Sequence, residues 1–182
     1  MQIREKTQLM SAPEIDRTLV RLAHEVAERN NGVANVALVG IRRRGVPLAQ
    51  RLAARLEEIE KVKPPVGTLD VTLYRDDLST VDTQPVVKEA PLGFPIDAKT
   101  IILVDDVLYT GRTTRASMNA LFNYGRPARV QLLVLIDRGW RELPIEATYV
   151  GRHVQTAAHE IIEVRLREVD PEERVMLVEK VG

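Results

Sequence analysis

Apolar residues near the N-terminus first settle into a helical rhythm. Ile15, Leu19, Leu22 and Val26 recur at three- and four-residue spacing and supply the buried stripe of a helix. Ser11-Ala-Pro-Glu, ahead of them, forms a capping box with proline inside the first turn, and Asn30-Asn31-Gly32 ends the run. The period then changes. VALVG (36–40) reads as a buried strand, followed by a loop, IRRRG, and a helix from about Val46 to Glu60. VGTLDVTLY (66–74) reads as a second strand by its Val, Thr, Leu and Tyr content. Residues 75–99 lose periodicity, and a stretch of that length inside a compact domain is more often a functional lid than filler. TIILVDD (100–106) is an almost wholly apolar strand of the kind covered on both faces. RTTRASMNALFNYG makes a helix closed by Gly125, and ARVQLLVLID (128–137) is a further buried strand. Buried strands alternating with helices predict an α/β chain built on a mostly parallel sheet. Within 138–182, the pieces ATYVG, EIIEVRL and RVMLVEK are expected to form a smaller β-rich cap.

Composition narrows the chemistry. The 182 residues fit one domain, and 45% apolar with 29% charged residues describes an ordinary globular chain and not a disordered one. Basic and acidic residues balance at 26 each, so a face for nucleic acid would have to be local. The absence of cysteine excludes disulfides, thiolate catalysis and cysteine zinc sites. His24, His153 and His159 show no metal spacing, since HEVAE and HEIIE both lack the second histidine of a zinc motif. MQIREKTQLM lacks the apolar region of a signal peptide, and the longest aliphatic runs, such as LLVLI, are too short to span a bilayer. The expectation is a cytoplasmic protein without membrane contact.

One stretch carries the chemistry. In VDDVLYTGRTTRA (104–116), Asp105 and Asp106 close a strand, where open parallel sheets bind ligands. Thr110, Gly111, Arg112, Thr113 and Thr114 then stand where the next helix starts, with free N–H groups and the positive end of the dipole facing an anion. A sugar phosphate satisfies both halves: carboxylates accept from vicinal hydroxyls while the helix N-terminus holds the 5′-phosphate. Other phosphate motifs fail, because GIRRRG (40–45) lacks the Lys-Ser/Thr of a P-loop and no Gly-x-Gly-x-x-Gly occurs.

The stretch resembles the phosphoribosyl pyrophosphate (PRPP) signature of the type I phosphoribosyltransferases. Further pieces in order, RLAHEVAERN, TLYRDDL, GRPARVQL and VLIDRGWRELPI, resemble those members that combine uracil phosphoribosyltransferase activity with attenuation of a pyrimidine operon. The resemblance implies the family fold, a parallel core of about 33–137, a hood from the N-terminal segment and about 138–182, and a mobile lid of about 72–99. It implies the pentosyl transfer uracil plus PRPP to UMP plus pyrophosphate, with Mg2+ held mainly through PRPP and water beside Asp105 and Asp106. The segment Val104, Asp105, Asp106, Val107, Leu108, Tyr109, Thr110, Gly111, Arg112, Thr113 and Thr114 would bind PRPP or nucleotide. Arg43 and Arg44 would face the pyrophosphate; the family typically has a small polar residue at the place of Arg43, which makes Arg44 the catalytic cation. Arg75 in the lid would add a second. Where hypoxanthine-type members carry a carboxylate, this chain has Tyr109, and a tyrosine with an unperturbed pKa of about 10 does not accept a proton at neutral pH. That favours a pyrimidine, expected near Arg138, Tyr149 and Val150.

The resemblance also implies binding to the leader mRNA of the pyrimidine operon, promoted by UMP or UTP, and a homodimer or higher homo-oligomer. Arg17, Arg21 and His24 fall opposite the apolar stripe of the first helix, Arg29 adds charge at its end, and Arg141 and Arg152 would extend the patch. Here the chain departs from the family: Trp140 replaces a histidine, Glu146 an arginine, Val20 a threonine, and RHVQTAA (152–158) loses a proline and a serine. None of these changes touches the PRPP signature. The alternatives are a uracil enzyme that has lost RNA regulation, a salvage enzyme for another base, and an RNA-binding nucleotide sensor with poor turnover.

Overall fold

The structure, a computed structural model, describes residues 2–71 and 90–182. Strand β1 (Gln2–Ser11) leads directly into helix α1 (Ala12–Arg29). The Ser11 side chain accepts from the Glu14 amide and the Glu14 side chain accepts from the Ser11 amide, so the capping box is formed. Strand β2 (Val36–Ile41), helix α2 (Gly45–Glu60) and strand β3 (Val66–Leu69) follow, then β4 (Thr100–Leu108), helix α3 (Arg112–Phe122), β5 (Arg129–Asp137), β6 (Tyr149–His153), β7 (Glu160–Arg165) and β8 (Arg174–Val181).

Five strands form an all-parallel sheet in the order β3-β2-β4-β5-β6. Its central strands are apolar because both faces are covered. Leu38, Ile102, Val104, Leu133 and Leu135 pack with Leu22, Val26, Leu48 and Leu52 of α1 and α2. Ala37, Val39, Ile101, Leu103 and Val134 pack with Ala116, Ala120 and Leu121 of α3 on the opposite face. The remaining strands form an antiparallel hood, β1-β8-β7, whose Ile162, Val164 and Val175 join the α1/α2 side of the core.

Several boundaries differ from expectation, and strand β3 ends at Leu69, short of Asp70 and Val71. ATYVG was expected in the cap, but as β6 it pairs parallel with β5 and closes the edge of the core sheet. Strand β4 runs two residues past Asp106, because Val107 and Leu108 continue the ladder against Ile136 and Asp137. The expected lid is divided: residues 72–89, with Arg75, lie outside the described residues, whereas Leu92 and Ile96 of the remainder are buried in the α3-side core.

Candidate functional site: a sugar-phosphate cleft at the sheet switch point

The chain leaves β2 outward to β3 and returns on the other side of β2 as β4, so the strand order reverses between β2 and β4. In an open parallel sheet that reversal opens a crevice at the strands' carboxyl ends. The loop 42–44 follows β2 and the loop 109–111 follows β4, so both expected anion loops flank this crevice.

Two glycines let the first loop fold back on the sheet. A Cβ on Gly40 would lie 2.6 Å from the Gly45 carbonyl oxygen, and a Cβ on Gly45 would lie 2.2 Å from the Val104 carbonyl oxygen. The Arg42 amide donates to the Leu69 carbonyl at 2.8 Å, which ties the loop to β3, and the Arg42–Arg43 peptide bond is cis. Arg43 is exposed. Arg44 is not directed at open space: its guanidinium closes as a fork on Asp170 of the hood, Nε to Oδ2 at 3.1 Å and Nη2 to Oδ1 at 2.8 Å.

On β4, Asp105 and Asp106 alternate across the pleat. The Asp105 carboxyl accepts from the Asp106 amide and the Asp106 carboxyl from the Val107 amide, both at 2.9 Å. Burial, and then the negative charge of Asp106, push the Asp105 carboxyl well above the usual carboxylate range. Asp106 lies near enough to Arg44 to favour its cationic form, after the larger contribution of Asp170.

Past β4, Gly111 takes φ +93° as the N-cap of α3, a left-handed conformation that suits glycine; it brings no capping side chain, and the Arg112 amide donates to Thr110 Oγ1 at 3.3 Å. The turn is braced from outside: the Thr110 carbonyl accepts from the Glu142 and Leu143 amides at 2.9 and 3.2 Å, and Arg112 Nε donates to Glu142 Oε2 at 2.8 Å. Thr113 is half-buried and Thr114 buried. Tyr109 is 40% exposed, and the Arg138 guanidinium carbon stands 3.9 Å from its ring centroid. Arg138 is otherwise buried, donating to Thr156 Oγ1 at 3.1 Å and to the Glu160 carbonyl at 2.8 Å.

The expected base-binding set splits. Arg138 reaches the crevice through Tyr109, but Tyr149 does not. Tyr149 pairs with Leu133, four residues before the strand end at Asp137, or about 13 Å up the sheet. Its hydroxyl donates to Gln131 at 2.7 Å and accepts from Asn30 at 3.1 Å inside the core. Val150 follows it, beside Val134, and its carbonyl accepts from Arg21. Neither position lies level with the strand end at Asp137. Two residues without an expected role, Asp137 and Asp170, bond to residues of the expected set. Asp137 ends β5 and accepts from the Gly139 amide at 2.9 Å and from Arg141 Nη2 at 2.6 Å. Burial would raise this carboxyl, but those bonds outweigh it and hold it below the usual range. Asp137 occupies the same kind of strand end as Asp105 and Asp106, a signal present in LVLID; Asp170 had no local signal, being 126 residues from its partner Arg44.

The expected RNA-binding set splits likewise. Arg17, Arg21 and Arg152 line one open cavity of about 550 Å3, together with Met10, Glu14, Thr18 and Gly151. His24 and Arg29 are exposed further along α1, and the Arg29 guanidinium lies 6.0 Å from the Tyr149 ring centroid. Arg141 stands apart from this patch. It donates to Asp137, to the Ile145 carbonyl at 2.9 Å and to the Tyr109 carbonyl at 2.8 Å, and so braces the crevice instead.

The phosphoribosyl transferase domain family matches residues 6–168. Bifunctional protein PyrR of Pelotomaculum thermopropionicum is 56% identical, covering 97% of both chains, and that of Roseiflexus sp. is 61% identical over 90% of this chain and 89% of its own. Bifunctional protein PyrR of Thermus aquaticus is 53% identical over 99% of each. Among solved structures, a Trypanosoma cruzi hypoxanthine phosphoribosyl transferase superposes with a TM-score of 0.72 at 18% identity, covering 97% of this chain and 92% of its own, which shows the shared fold. A domain match of that extent, with near-complete relatives above half identity, places this chain in the phosphoribosyl transferase family, among the bifunctional PyrR proteins.

Proposed function

We propose that this protein transfers the phosphoribosyl group of PRPP to uracil, giving UMP and pyrophosphate, and that it regulates a pyrimidine operon by nucleotide-dependent binding to leader mRNA. The observation that carries the enzymatic half is the meeting, at one switch point, of paired carboxylates on β4, the α3 N-terminus and the glycine-bounded loop after β2. These suit, in turn, ribose hydroxyls, a 5′-phosphate and a pyrophosphate.

In the reaction the C1′–O bond to pyrophosphate breaks with its electron pair leaving on pyrophosphate. The uracil N1 lone pair forms the new bond to C1′, and the N1 proton is lost. Asp105 and Asp106 hold the ribose while positive charge develops on it. The turn Tyr109–Gly111 and the first turn of α3, Arg112–Thr114, anchor the 5′-phosphate, and Arg43 supplies cationic charge to the leaving group. Tyr109 with Arg138 forms the wall nearest the base.

Phosphoribosyltransferases generally use Mg2+ with PRPP, and bound Mg2+ neutralises charge on the pyrophosphate. Asp105 and Asp106 are hard oxygen donors that fit such an ion. Among the described residues no group of three or more carboxylate or imidazole side chains is arranged to hold a metal ion.

The regulatory half rests on the relatives' bifunctional name and on Arg17, Arg21 and Arg152 sharing one cavity. The expected assembly is a homodimer or larger homo-oligomer, and the expected compartment is the cytoplasm; no described helix is long and apolar enough to cross a membrane. The test has two arms. Chromatographic assay of UMP formation from PRPP with uracil, against hypoxanthine and guanine, should show turnover with uracil alone. Gel-shift binding to the operon leader, over a salt series, should tighten with UMP and weaken steeply with salt. Turnover with a purine, or RNA binding indifferent to UMP, would overturn the corresponding half.

A further inference from the structure

We propose that Arg44 is a positioning residue: its bridge to Asp170 ties the pyrophosphate loop to the hood and holds that loop in the shape PRPP requires. The assignment rests on the phosphoribosyl-transfer reading above. The Nε–Nη2 edge of the Arg44 guanidinium is engaged by Asp170, and this two-point geometry fixes the direction of the side chain as well as its distance. Asp170 is a stiff anchor. Its Oδ2 accepts from the Leu166 amide at 2.8 Å, its own amide donates to the Leu166 carbonyl at 2.7 Å, and Leu166 is wholly buried in the core cluster shared with α1 and α2.

The loop is thereby fixed at both ends on different elements. Upstream, the Arg42 amide is bonded to β3; downstream, Gly45 lies against the Val104 carbonyl and Arg44 is held by the hood. Arg42 and Arg43 are exposed, so charge is presented by the middle of a loop whose two ends are each bonded to another element. Holding a binding group in place before the ligand arrives removes an ordering cost from binding and from the transition state. Arg51, about two turns farther along α2, pairs with Glu168 and Glu173 of the same hood segment. It docks α2 to the hood without touching the loop, and so serves as the control.

The test is a double-mutant cycle in the full chain: Arg44→Gln, Asp170→Asn, and both. Asparagine keeps an acceptor for the Leu166 amide, so the hood turn is spared. Steady-state uracil turnover gives KM for PRPP and kcat, and calorimetry gives the PRPP Kd without any base. Each single variant should raise KM and Kd for PRPP about tenfold, and the double variant should rise about tenfold as well and not a hundredfold, because one shared bridge is removed. Arg44→Lys, which keeps the charge and loses the fork, should fall between. Arg51→Gln should lower the melting temperature and leave the PRPP constants within about twofold. The proposal is overturned if Asp170→Asn leaves PRPP binding unchanged or tighter while Arg44→Gln weakens it, which would make Arg44 a direct pyrophosphate ligand. Additive single effects, or an Arg51→Gln effect as large as the others, would also overturn it. A wild-type protein inert toward uracil would count against the reaction assigned above, whereas the calorimetric cycle would still decide the bridge.

Discussion

Burial and the neighbouring charge of Asp106 both oppose ionisation of the Asp105 carboxyl. A carboxyl whose folded pKa is raised binds its proton more tightly in the folded chain than in the unfolded one. Its contribution to stability is therefore full below the unfolded pKa near 4 and is lost as pH rises through the folded value. Asp105→Asn should melt higher than wild type at pH 7, the gap closing as pH falls toward 4, while uracil turnover collapses because the ribose loses a carboxylate. Thermal denaturation across that range, with parallel turnover, checks both outcomes; a variant less stable at pH 7 would show that Asp105 is not held against its ionisation. Gly45 is constrained in the opposite sense, by space. A methyl group there would meet the Val104 carbonyl oxygen at 2.2 Å, and backbone cannot yield as a flexible side chain does. Gly45→Ala should cost about 3 kcal/mol in denaturant unfolding and abolish PRPP binding, since the loop has to lift off β4.

Helix α1 separates its two tasks by face. Its inner side, Ile15, Leu19, Leu22 and Val26, belongs to the core, and its start is set by the reciprocal Ser11 and Glu14 bonds. Ser11→Ala should cost about 1 kcal/mol and lower the melting temperature by about 3 °C, without altering the helix's register on the core. The outer side carries Arg17 and Arg21, and Arg152 of β6 reaches the same cavity because β6 lies beside α1. Arg21 is partly neutralised by Glu25 at 2.9 Å, whereas Arg17 has no ion pair among the described residues. Arg17→Gln should therefore weaken leader RNA binding and reduce the salt slope by about 1, read from gel shifts over a salt series. An unchanged slope would remove Arg17 from the phosphate contacts.

At the scale of the molecule, hood and core are held together by apolar packing and by a line of ion pairs, Arg44–Asp170 and Arg51 with Glu168 and Glu173. Arg44, with the Leu166 amide adding to it, holds the Asp170 carboxyl below the usual range. Burial alone would raise Glu173, but the bond from Arg51 outweighs it and the net shift is also downward. For carboxyls depressed on folding the sign is reversed: their stabilisation is present above the unfolded pKa and is lost as pH falls through the folded one. The wild-type protein should lose stability steeply below about pH 4, and Asp170→Asn should flatten that acid limb. Superimposable acid limbs in thermal melts of the two proteins would show that the bridge contributes nothing to folding.

Local sequence determined what local physics could determine. Strand and helix order followed from the change of period at VALVG, TIILVDD and ARVQLLVLID. The start of α1 followed from its capping box, and the sugar-phosphate reading from a strand end and a helix start only a few residues apart. These signals are short-range, so no folding was needed to see them. Tertiary structure decided what depends on chain segments far apart in sequence. β6 had the composition of a cap strand, yet the core sheet claimed it, because its edge beside β5 offered a parallel ladder. Tyr149 thereby turns its hydroxyl to Gln131 and Asn30 in the core. Arg141 pairs with Asp137 at the end of β5, and Arg44 with an aspartate 126 residues away. A charged side chain's partner is set by which opposite charge the fold brings within reach, and nothing in the spacing of GIRRRG specifies that.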